Sequence, residues 1–474
     1  MDQPASLPLI RRLWRDHLAP QRLRMAVAVA FTVGLAGITA LYPIIIQQAF
    51  DMFGRGDPQV VWLLPPVIVA VTAARGALMF GQQLAIQGAV LRTIEDIQNA
   101  LFRALTRADF AAVSSEAPAR LVSRFTTDAT QIREALTRSV NGAGDALTIV
   151  GLVGSMLWLD WQLALMAALL YPIAAVPILR IGKRIRRASS GMQDRAGETA
   201  ALLNESLGAA RVVRSYRLEA QEEARAASAF ARLRESLYRI ARTRARVDPI
   251  LEVLGGITVA AVLGFVGWRV ASGQGTIGEF TGFVAAVLIA ARPVRALGSL
   301  NAALQEGLAG LSRVFAMMDA PRAVADAPGA APLPEGRGRV TFEDVSFRYM
   351  GSTDAALSGL SFVAEPGRTV ALVGPSGAGK STAIALLPRL YDPAGGRVTL
   401  DGADLRAVTL ASLRDAIAYV GQEALIFDDS AHANIACGRP GATRAEVEAA
   451  ARAAQAHGFL AALPQGYDTP LGPG

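Results

Sequence analysis

A glycine-rich stretch carries the residues of this 474-residue sequence that are best suited to chemistry. Residues 374–381 read Gly-Pro-Ser-Gly-Ala-Gly-Lys-Ser, which fits the pattern G-x-x-x-x-G-K-[ST]. Glycines allow a backbone to wrap closely around phosphate groups, and successive N–H groups with a helix N-terminus supply partial positive charge. In such a loop the lysine reaches the β- and γ-phosphates, and the serine hydroxyl is a ligand for Mg²⁺. The stretch predicts a nucleotide phosphate site centred on Lys380 and Ser381.

Two features of the surrounding sequence support this interpretation. Of 47 basic residues, 45 are arginine, so one of only two lysines, Lys380, falls on the position that the pattern requires. The segment RTVALV at 368–373 predicts a short buried strand, and residues 382–390 predict a helix. Strand, glycine-rich turn and helix form the setting in which a P-loop binds phosphate.

Long apolar stretches precede this domain and predict membrane spans. A helix needs about 18 or more apolar residues to cross a bilayer. The candidate spans are residues 25–50, 58–91, 139–159, 162–179, 253–268 and 276–292. The last is the weakest, because its uncharged part covers only 280–291 and also suits a buried helix of a soluble protein.

Basic residues alternate between the loops and predict the orientation of these spans. The segments before span one, between spans two and three and between spans four and five carry 5, 7 and 16 basic residues, whereas the three other loops carry 1, 0 and 1. Cytoplasmic loops are enriched in Lys and Arg. We therefore expect an integral protein of the inner or plasma membrane, with six spans and both termini cytoplasmic. The net charge of +7 is explained by these loops, so no nucleic-acid partner is expected.

The sequence also disfavours several other kinds of site. The single cysteine, Cys437, rules out an intrachain disulfide and a cysteine-based zinc site, and the three histidines lie far apart in sequence. Two charges fall within predicted spans, where they are costly. Arg75 either lines a substrate cavity or extends to the inner headgroups, and Asp145 either serves transport or pairs with an arginine of a neighbouring helix.

Proline and glycine crowd together over residues 320–338 and predict a linker. Four segments result: a cytoplasmic N-terminal segment 1–24, a six-span membrane domain 25–318, the linker 319–338, and an α/β domain 339–474 that contains the P-loop.

With these features together, the chain resembles an ATP-binding-cassette (ABC) exporter of the lipid or multidrug type, a half-transporter that fuses six spans to one nucleotide-binding domain. The resemblance implies an all-α membrane domain followed by an incomplete α/β P-loop (RecA-like) domain. It also implies that Tyr349, in VSFRY, stacks on adenine, and that Gln422, in YVGQEALIF, contacts Mg²⁺ or the attacking water. The alternatives are a tyrosine that packs locally in a strand and an ordinary loop glutamine. The implied nucleotide-binding set is Tyr349, Gly374, Pro375, Ser376, Gly377, Ala378, Gly379, Lys380, Ser381, Thr382 and Gln422, with Ser381 and Gln422 at the metal.

The resemblance implies further motifs that do not occur in the sequence. These are an LSGGQ-like signature, an apolar Walker B strand that ends in Asp-Glu, and a switch histidine. Asp401 does not replace them, because the family places the segment VTLDG in a hairpin away from Mg²⁺. We therefore assign no catalytic residue, expect the chain to be C-terminally truncated, and leave its own ATPase activity open.

The favoured function is ATP- and Mg²⁺-dependent export by a dimer of half-transporters, either homo- or heterodimeric, in a lipid bilayer. The few charges in the spans favour a small lipophilic or amphipathic substrate. The alternative is a truncated membrane protein that binds ATP weakly without hydrolysis, or serves only as an inert partner of a full-length subunit. A membrane-tethered kinase or GTPase is disfavoured, because no Asn-Lys-x-Asp guanine motif follows the P-loop.

Overall fold

The chain folds into two compact units in a computed structural model. The first unit comprises Met1–Leu101 and Val122–Ala316, and the second comprises Phe102–Leu121 and Met317–Gly474. The structure describes residues 6–165, 192, 195–246, 249–250, scattered positions between 252 and 268, 276–421 and 425–472.

Long helices account for most of the first unit. Four helical stretches among the described residues are long and apolar enough to cross a membrane, namely Leu7–Arg55, Val60–Thr106, Pro118–Leu159 and Ile277–Met318. They overlap the predicted spans one, two, three and six. The sixth span was the weakest prediction, yet its helix extends over 42 residues. Predicted span four lies outside the described residues after position 165, and span five is described only at scattered positions.

Small residues allow two of these helices to approach closely. A Cβ atom on Gly144 would lie 2.7 Å from Thr32 Cγ2, and one on Gly151 would lie 2.9 Å from Ala40 Cβ. Helices in lipid associate through close packing rather than through a hydrophobic driving force, so small residues suit their contacts. Helices Arg22–Arg55 and Ala129–Leu159 therefore pack backbone to backbone.

The charges within the predicted spans have partners. The Arg75 guanidinium lies 5.7 Å from the centre of the Tyr42 ring, a cation–π distance. The Tyr42 hydroxyl is in turn 3.2 Å from Thr72 Oγ1. Asp145 interacts electrostatically with Arg292, which agrees with the expectation of an arginine on a neighbouring helix.

The segment between predicted spans four and five is helical over the residues that the structure describes. Residues 195–208 are helical, and the helices Ala210–Ser215 and Glu219–Arg244 follow. This region has no proline between 195 and 246, and it is rich in alanine, leucine, glutamate and arginine, which favour helix.

A four-stranded antiparallel sheet forms one part of the second unit. Its strands are β1 (Val340–Phe347), β2 (Leu357–Ala364), β3 (Gly395–Leu400) and β4 (Ala403–Asp404), in the order β2-β1-β3-β4. Side chains on one face of β1 are buried together with Leu386 of the helix that follows the glycine-rich loop. The core therefore joins this helix to the sheet.

A smaller helical cluster forms the other part of the second unit. Short strands β5 (Asp429–Ser430) and β6 (Pro470–Leu471) pair beside the helices Ala431–Ala436, Arg444–Ala453 and His457–Ala461. His457 Nδ1 lies 2.9 Å from the Tyr467 hydroxyl, so this histidine supports the cluster.

Two local expectations need correction. Residues 368–373 were expected to form a buried strand, but they form no strand, and Val373 is 88% exposed. A strand exists only when a neighbour completes its hydrogen bonds, and no described segment pairs with this one. The following helix covers Lys380–Leu386 rather than 382–390, because Pro388 has no N–H group to continue the helical hydrogen bonds and Arg389 adopts a positive φ of 48°.

Candidate nucleotide-binding site

The glycine-rich loop adopts a backbone that requires glycine at two positions. Gly377 and Gly379 have φ values of 83° and 82°, in the left-handed region. At Gly379 a Cβ atom would also collide with the carbonyl oxygen of Ala356, just before β2. Only glycine combines this conformation with such a close approach at low cost.

Unpaired backbone donors line the same loop. The N–H group of Ala378 donates to Pro375 O, whereas those of Gly377, Gly379 and Lys380 have no acceptor among the described residues. Buried or functional N–H groups normally find a partner. Free donors clustered in one loop can form a concave anion site, so the loop suits the oxygens of a polyphosphate.

The Lys380 side chain adds a full positive charge. Its Nζ atom donates to Gly374 O at 2.8 Å and to Pro375 O at 2.7 Å, so the ammonium lies against the start of the loop. The neighbouring Ser381 is exposed, and its hydroxyl makes no hydrogen bond to another described residue. A hydroxyl oxygen in this position fits a hard cation such as Mg²⁺, which takes few protein ligands and keeps several waters.

Tyr349 lies beside the loop. It is the second residue after the end of β1, and its hydroxyl is 2.9 Å from Thr382 Oγ1, two residues beyond Lys380. Thr382 is buried, so this contact fixes the tyrosine hydroxyl. The side chain remains 39% exposed, which leaves ring surface for stacking on a planar base.

Two further aromatic rings surround Tyr349 that sequence reasoning missed. Phe347 and Tyr391 pack edge-on against it, with ring centroids at 4.9 Å and 5.4 Å. Phe347 is the last residue of β1 and lies two residues before Tyr349, so its contact with Tyr349 could have been predicted from this spacing. Tyr391 lies 42 residues away in sequence, and no local pattern indicates this contact.

The structure brings together most of the predicted site. Residues 374–382 form one continuous loop and helix start, with Tyr349 attached through Thr382. Gln422 lies outside the described residues. No group of three or more histidine, cysteine, aspartate or glutamate residues that could hold a metal occurs in the described parts of the chain.

Asp401 has a structural environment. Its carboxylate accepts hydrogen bonds from the N–H groups of Arg339 at 2.9 Å and Gly338 at 3.0 Å, and these bonds lower its pKa. The residue closes the β3–β4 hairpin onto the end of the linker.

Comparison with known proteins places these features in a family. Residues 25–294 match the ABC transporter transmembrane region, and residues 357–470 match the ABC transporter domain. The chain belongs to the ABC transporter family. The nucleotide-binding domain of this family implies that the chain binds ATP, and the glycine-rich loop lies within the matched ABC transporter domain.

Individual relatives agree with this assignment. The chain is 32% identical over 472 residues to the ATP-dependent lipid A-core flippase of Desulfotalea psychrophila, covering 98% of this chain and 81% of the relative. It is 35% identical over 424 residues to the flippase of the same name from Chromobacterium violaceum, covering 89% and 72%. Among solved structures it is similar to a bacterial Atm1-family ABC exporter with ATP bound, with 27% identity, a TM-score of 0.78, and coverage of 96% and 81%. The ABC exporter fold expected from the sequence is thereby confirmed.

Proposed function

We propose that this ABC transporter acts as a dimeric half-transporter that uses ATP to move an amphipathic, lipid-like substrate out of the cytoplasmic side of the inner or plasma membrane. The observation that carries the proposal is the phosphate loop with its adjoining Tyr349, joined in one chain to long apolar helices. The names of the relatives support a lipid substrate, because they are described as lipid A-core flippases.

The residues of the site suggest how nucleotide is bound. The ring of Tyr349 stacks on the adenine base, the free N–H groups of the loop hold phosphate oxygens, and Lys380 Nζ turns from the loop carbonyls to the β- and γ-phosphates. Ser381 and Gln422 would hold Mg²⁺, which neutralises charge on the β- and γ-oxygens when it is bound. ATP bound at this site shifts the conformational equilibrium of the transporter toward the state that has the higher affinity for ATP.

The apolar surface of the spans supports the choice of substrate. Many large apolar side chains on the helices of the first unit are exposed, including Val61, Trp62 and Phe80. Charges in the described spans are few, and Arg75 and Asp145 already have protein partners. The alternative, a non-hydrolysing membrane protein, is less well supported, since the relatives are described as ATP-dependent.

Transport in proteoliposomes tests the proposal. The protein, expressed from its own gene, is reconstituted with a fluorescent lipid that carries a phosphorylated sugar headgroup, and flipping is measured with and without ATP. We expect ATP to stimulate flipping, and Lys380→Ala to abolish the stimulation, because loss of a charged hydrogen bond lowers nucleotide affinity by about 10- to 100-fold. Arg368→Ala, which removes an exposed cation six residues before the loop, is the matched control. Equal flipping by the wild type and Lys380→Ala in ATP would contradict the proposal.

A further inference from the structure

A cavity lies between two helices of the segment that joins predicted spans four and five. One wall is the helical stretch 195–208, and the other is the helix Glu219–Arg244. Both belong to the first unit. The cavity has a volume of about 220 Å³, close to that of about seven molecules of liquid water. No described residue of the nucleotide site lines it, so it is a separate feature of the molecule.

One face of the helix Glu219–Arg244 forms the basic wall of this cavity. Arg225, Ser228, Ala229 and Arg232 line it, and their spacing i, i+3, i+4, i+7 places them on a single face. Positions with this spacing normally carry the apolar residues through which a helix packs on its neighbour. Here two of them are arginine and two are small, so this face leaves space between the helices instead of filling it.

The facing helix repeats the pattern. Arg195, Glu198, Thr199 and Leu202 line the cavity with the same spacing. Thr199 on this helix and Ala229 on the other are buried, whereas the side chains of Arg195 and Glu198 are exposed. The cavity therefore has an uncharged, buried floor and a charged rim that water can reach.

Two of the three arginines that line the cavity are paired. Arg195 Nη1 donates to Glu198 Oε2 at 2.9 Å, and Arg225 Nη1 donates to Glu222 Oε1 at 2.6 Å. A guanidinium group has five N–H donors, so one such bond leaves most of them available. These ion pairs balance two positive charges without using up the donors.

The third arginine has no balancing charge. Arg232 donates to Ser228 Oγ at 3.3 Å, and no carboxylate of a described residue lies within ion-pair distance of it. A cleft concentrates the field of the charges that line it and so attracts ions of the opposite sign. Guanidinium groups bind phosphate through two parallel N–H···O bonds. The rim therefore suits an anion that carries a phosphate group.

The helix Glu219–Arg244 extends well beyond the cavity toward predicted span five. It continues for 12 residues after Arg232, which is about 18 Å at 1.5 Å per residue. Lipid headgroups occupy only about 5–8 Å on each side of the hydrocarbon. This distance along the helix favours an anion dissolved in water over a lipid headgroup.

We propose that this cavity binds a water-soluble, phosphate-bearing anion, with Arg232 and the free donors of Arg225 as its phosphate ligands. The site is distinct from the glycine-rich loop. The inference goes beyond the proposed function and does not depend on which substrate the transporter moves.

Binding of inorganic pyrophosphate to a Lys380→Ala protein tests the site, because this background weakens binding at the glycine-rich loop. Isothermal titration calorimetry in phosphatidylcholine nanodiscs compares it with the same protein carrying Arg232→Gln or Arg234→Gln. Arg234 is a matched control, because it is exposed on the same helix and does not line the cavity. We expect Arg232→Gln to weaken pyrophosphate binding by about tenfold or more, and Arg234→Gln to leave it within about twofold.

A second pair of variants tests the cavity without a change of charge. Ser228→Leu places a larger apolar side chain in the lining, whereas Ala231→Leu places it at an exposed position of the same helix outside the lining. We expect only Ser228→Leu to weaken pyrophosphate binding, again by about tenfold, because the added side chain occupies the space of the anion.

The lipid composition of the nanodisc separates the two sources of phosphate. The effect of Arg232→Gln on pyrophosphate binding should persist when the nanodisc contains phosphatidic acid. Its disappearance there would mean that a lipid headgroup fills the site and would overturn the inference of a water-soluble ligand.

Two further results would also overturn the inference. One is the absence of pyrophosphate binding to the Lys380→Ala protein, which shows that no second site exists. The other is an equal loss in Arg232→Gln and Arg234→Gln, which shows only general attraction between a basic helix and an anion. Neither result bears on ATP-stimulated flipping, so the proposed function is tested separately.

Discussion

Two glycines of the phosphate loop differ in the space that a Cβ atom would have. Gly377 and Gly379 have nearly the same φ, 83° and 82°, but only Gly379 faces a backbone carbonyl at close range, whereas no atom lies within 4 Å of a Cβ at Gly377. A non-glycine residue in left-handed conformation costs roughly 1–2 kcal/mol. The collision at Gly379 adds a cost that cannot be relieved by a flexible side chain, because the obstacle is backbone.

The matched pair Gly377→Ala and Gly379→Ala tests this argument. We expect Gly377→Ala to weaken tripolyphosphate binding by up to about tenfold, the equivalent of about 1.4 kcal/mol, and Gly379→Ala to abolish measurable binding. Titration calorimetry of both variants gives the comparison. Equal losses would mean that the collision with Ala356 O is relieved by movement of the loop.

Asp401 offers a residue-scale prediction that depends on pH. Hydrogen bonds from Arg339 N–H, and secondarily from Gly338 N–H, lower its pKa below the ordinary value of 3.8. A lowered pKa means that the unfolded chain binds the proton more tightly, so the stability that Asp401 contributes is present above pH 3.8 and is lost as the pH falls through the lowered pKa. We expect Asp401→Asn to reduce stability by about 1 kcal/mol at neutral pH, the usual net value of a hydrogen bond.

Thermal melting of the two proteins as a function of pH checks this. The difference between wild type and Asp401→Asn should shrink as the pH falls below about 4. Asp354→Asn is a suitable control, because Asp354 is exposed and its carboxylate accepts no hydrogen bond from a described residue. If the stability difference between wild type and Asp401→Asn stays constant down to acid pH, the loss of stability comes from altered packing or hydrogen-bond geometry and not from the charge of Asp401.

At the scale of elements, the sequence predicted what local chemistry determines. The VTLDG hairpin and the glycine-rich turn each depend on residues close in sequence, and both turns are present in the structure. The segment 368–373 was predicted wrongly, because a strand depends on a neighbouring strand that no local pattern reveals. The contact of Phe110 with Tyr391 was missed for the same reason: it joins residues 281 positions apart.

A buried arginine holds several of these elements together. Arg389 is 3% exposed, and besides Asp392 it donates to the carbonyls of Leu405, at 3.2 Å, and Ala325 in the linker, at 3.4 Å. One guanidinium thus connects the P-loop helix, the β4 end and the linker. Its five donors and fixed geometry suit this role, which lysine could not fill.

Removal of this side chain should be costly. We expect Arg389→Ala to destabilise the second unit by about 3 kcal/mol, because it leaves Asp392 and two carbonyl groups without their donor. Arg397→Ala, which breaks the solvent-exposed pair with Glu343, should lower the stability much less, because water screens an exposed ion pair. Differential scanning calorimetry distinguishes the two variants, and similar small shifts in both would contradict a central role for Arg389.

At the scale of the whole molecule, two long helices contribute residues to both units. Val60–Thr106 belongs to the first unit up to Leu101, and Ile277–Met318 belongs to it up to Ala316. In each case the boundary between the units falls within a continuous helix rather than in a loop.

The loop charges imply an orientation that the single cysteine can report. Cys437 is exposed, lies in the second unit and is the only cysteine in the chain. If that unit is cytoplasmic, a membrane-impermeant maleimide should label Cys437 in inside-out vesicles and not in right-side-out vesicles. A Cys437→Ala protein that carries Arg55→Cys, in the loop between spans one and two, should show the opposite pattern, because that loop holds a single basic residue and should lie outside. Labelling of both positions from the same side would contradict the orientation, since an odd number of spans must separate a cytoplasmic domain from this loop.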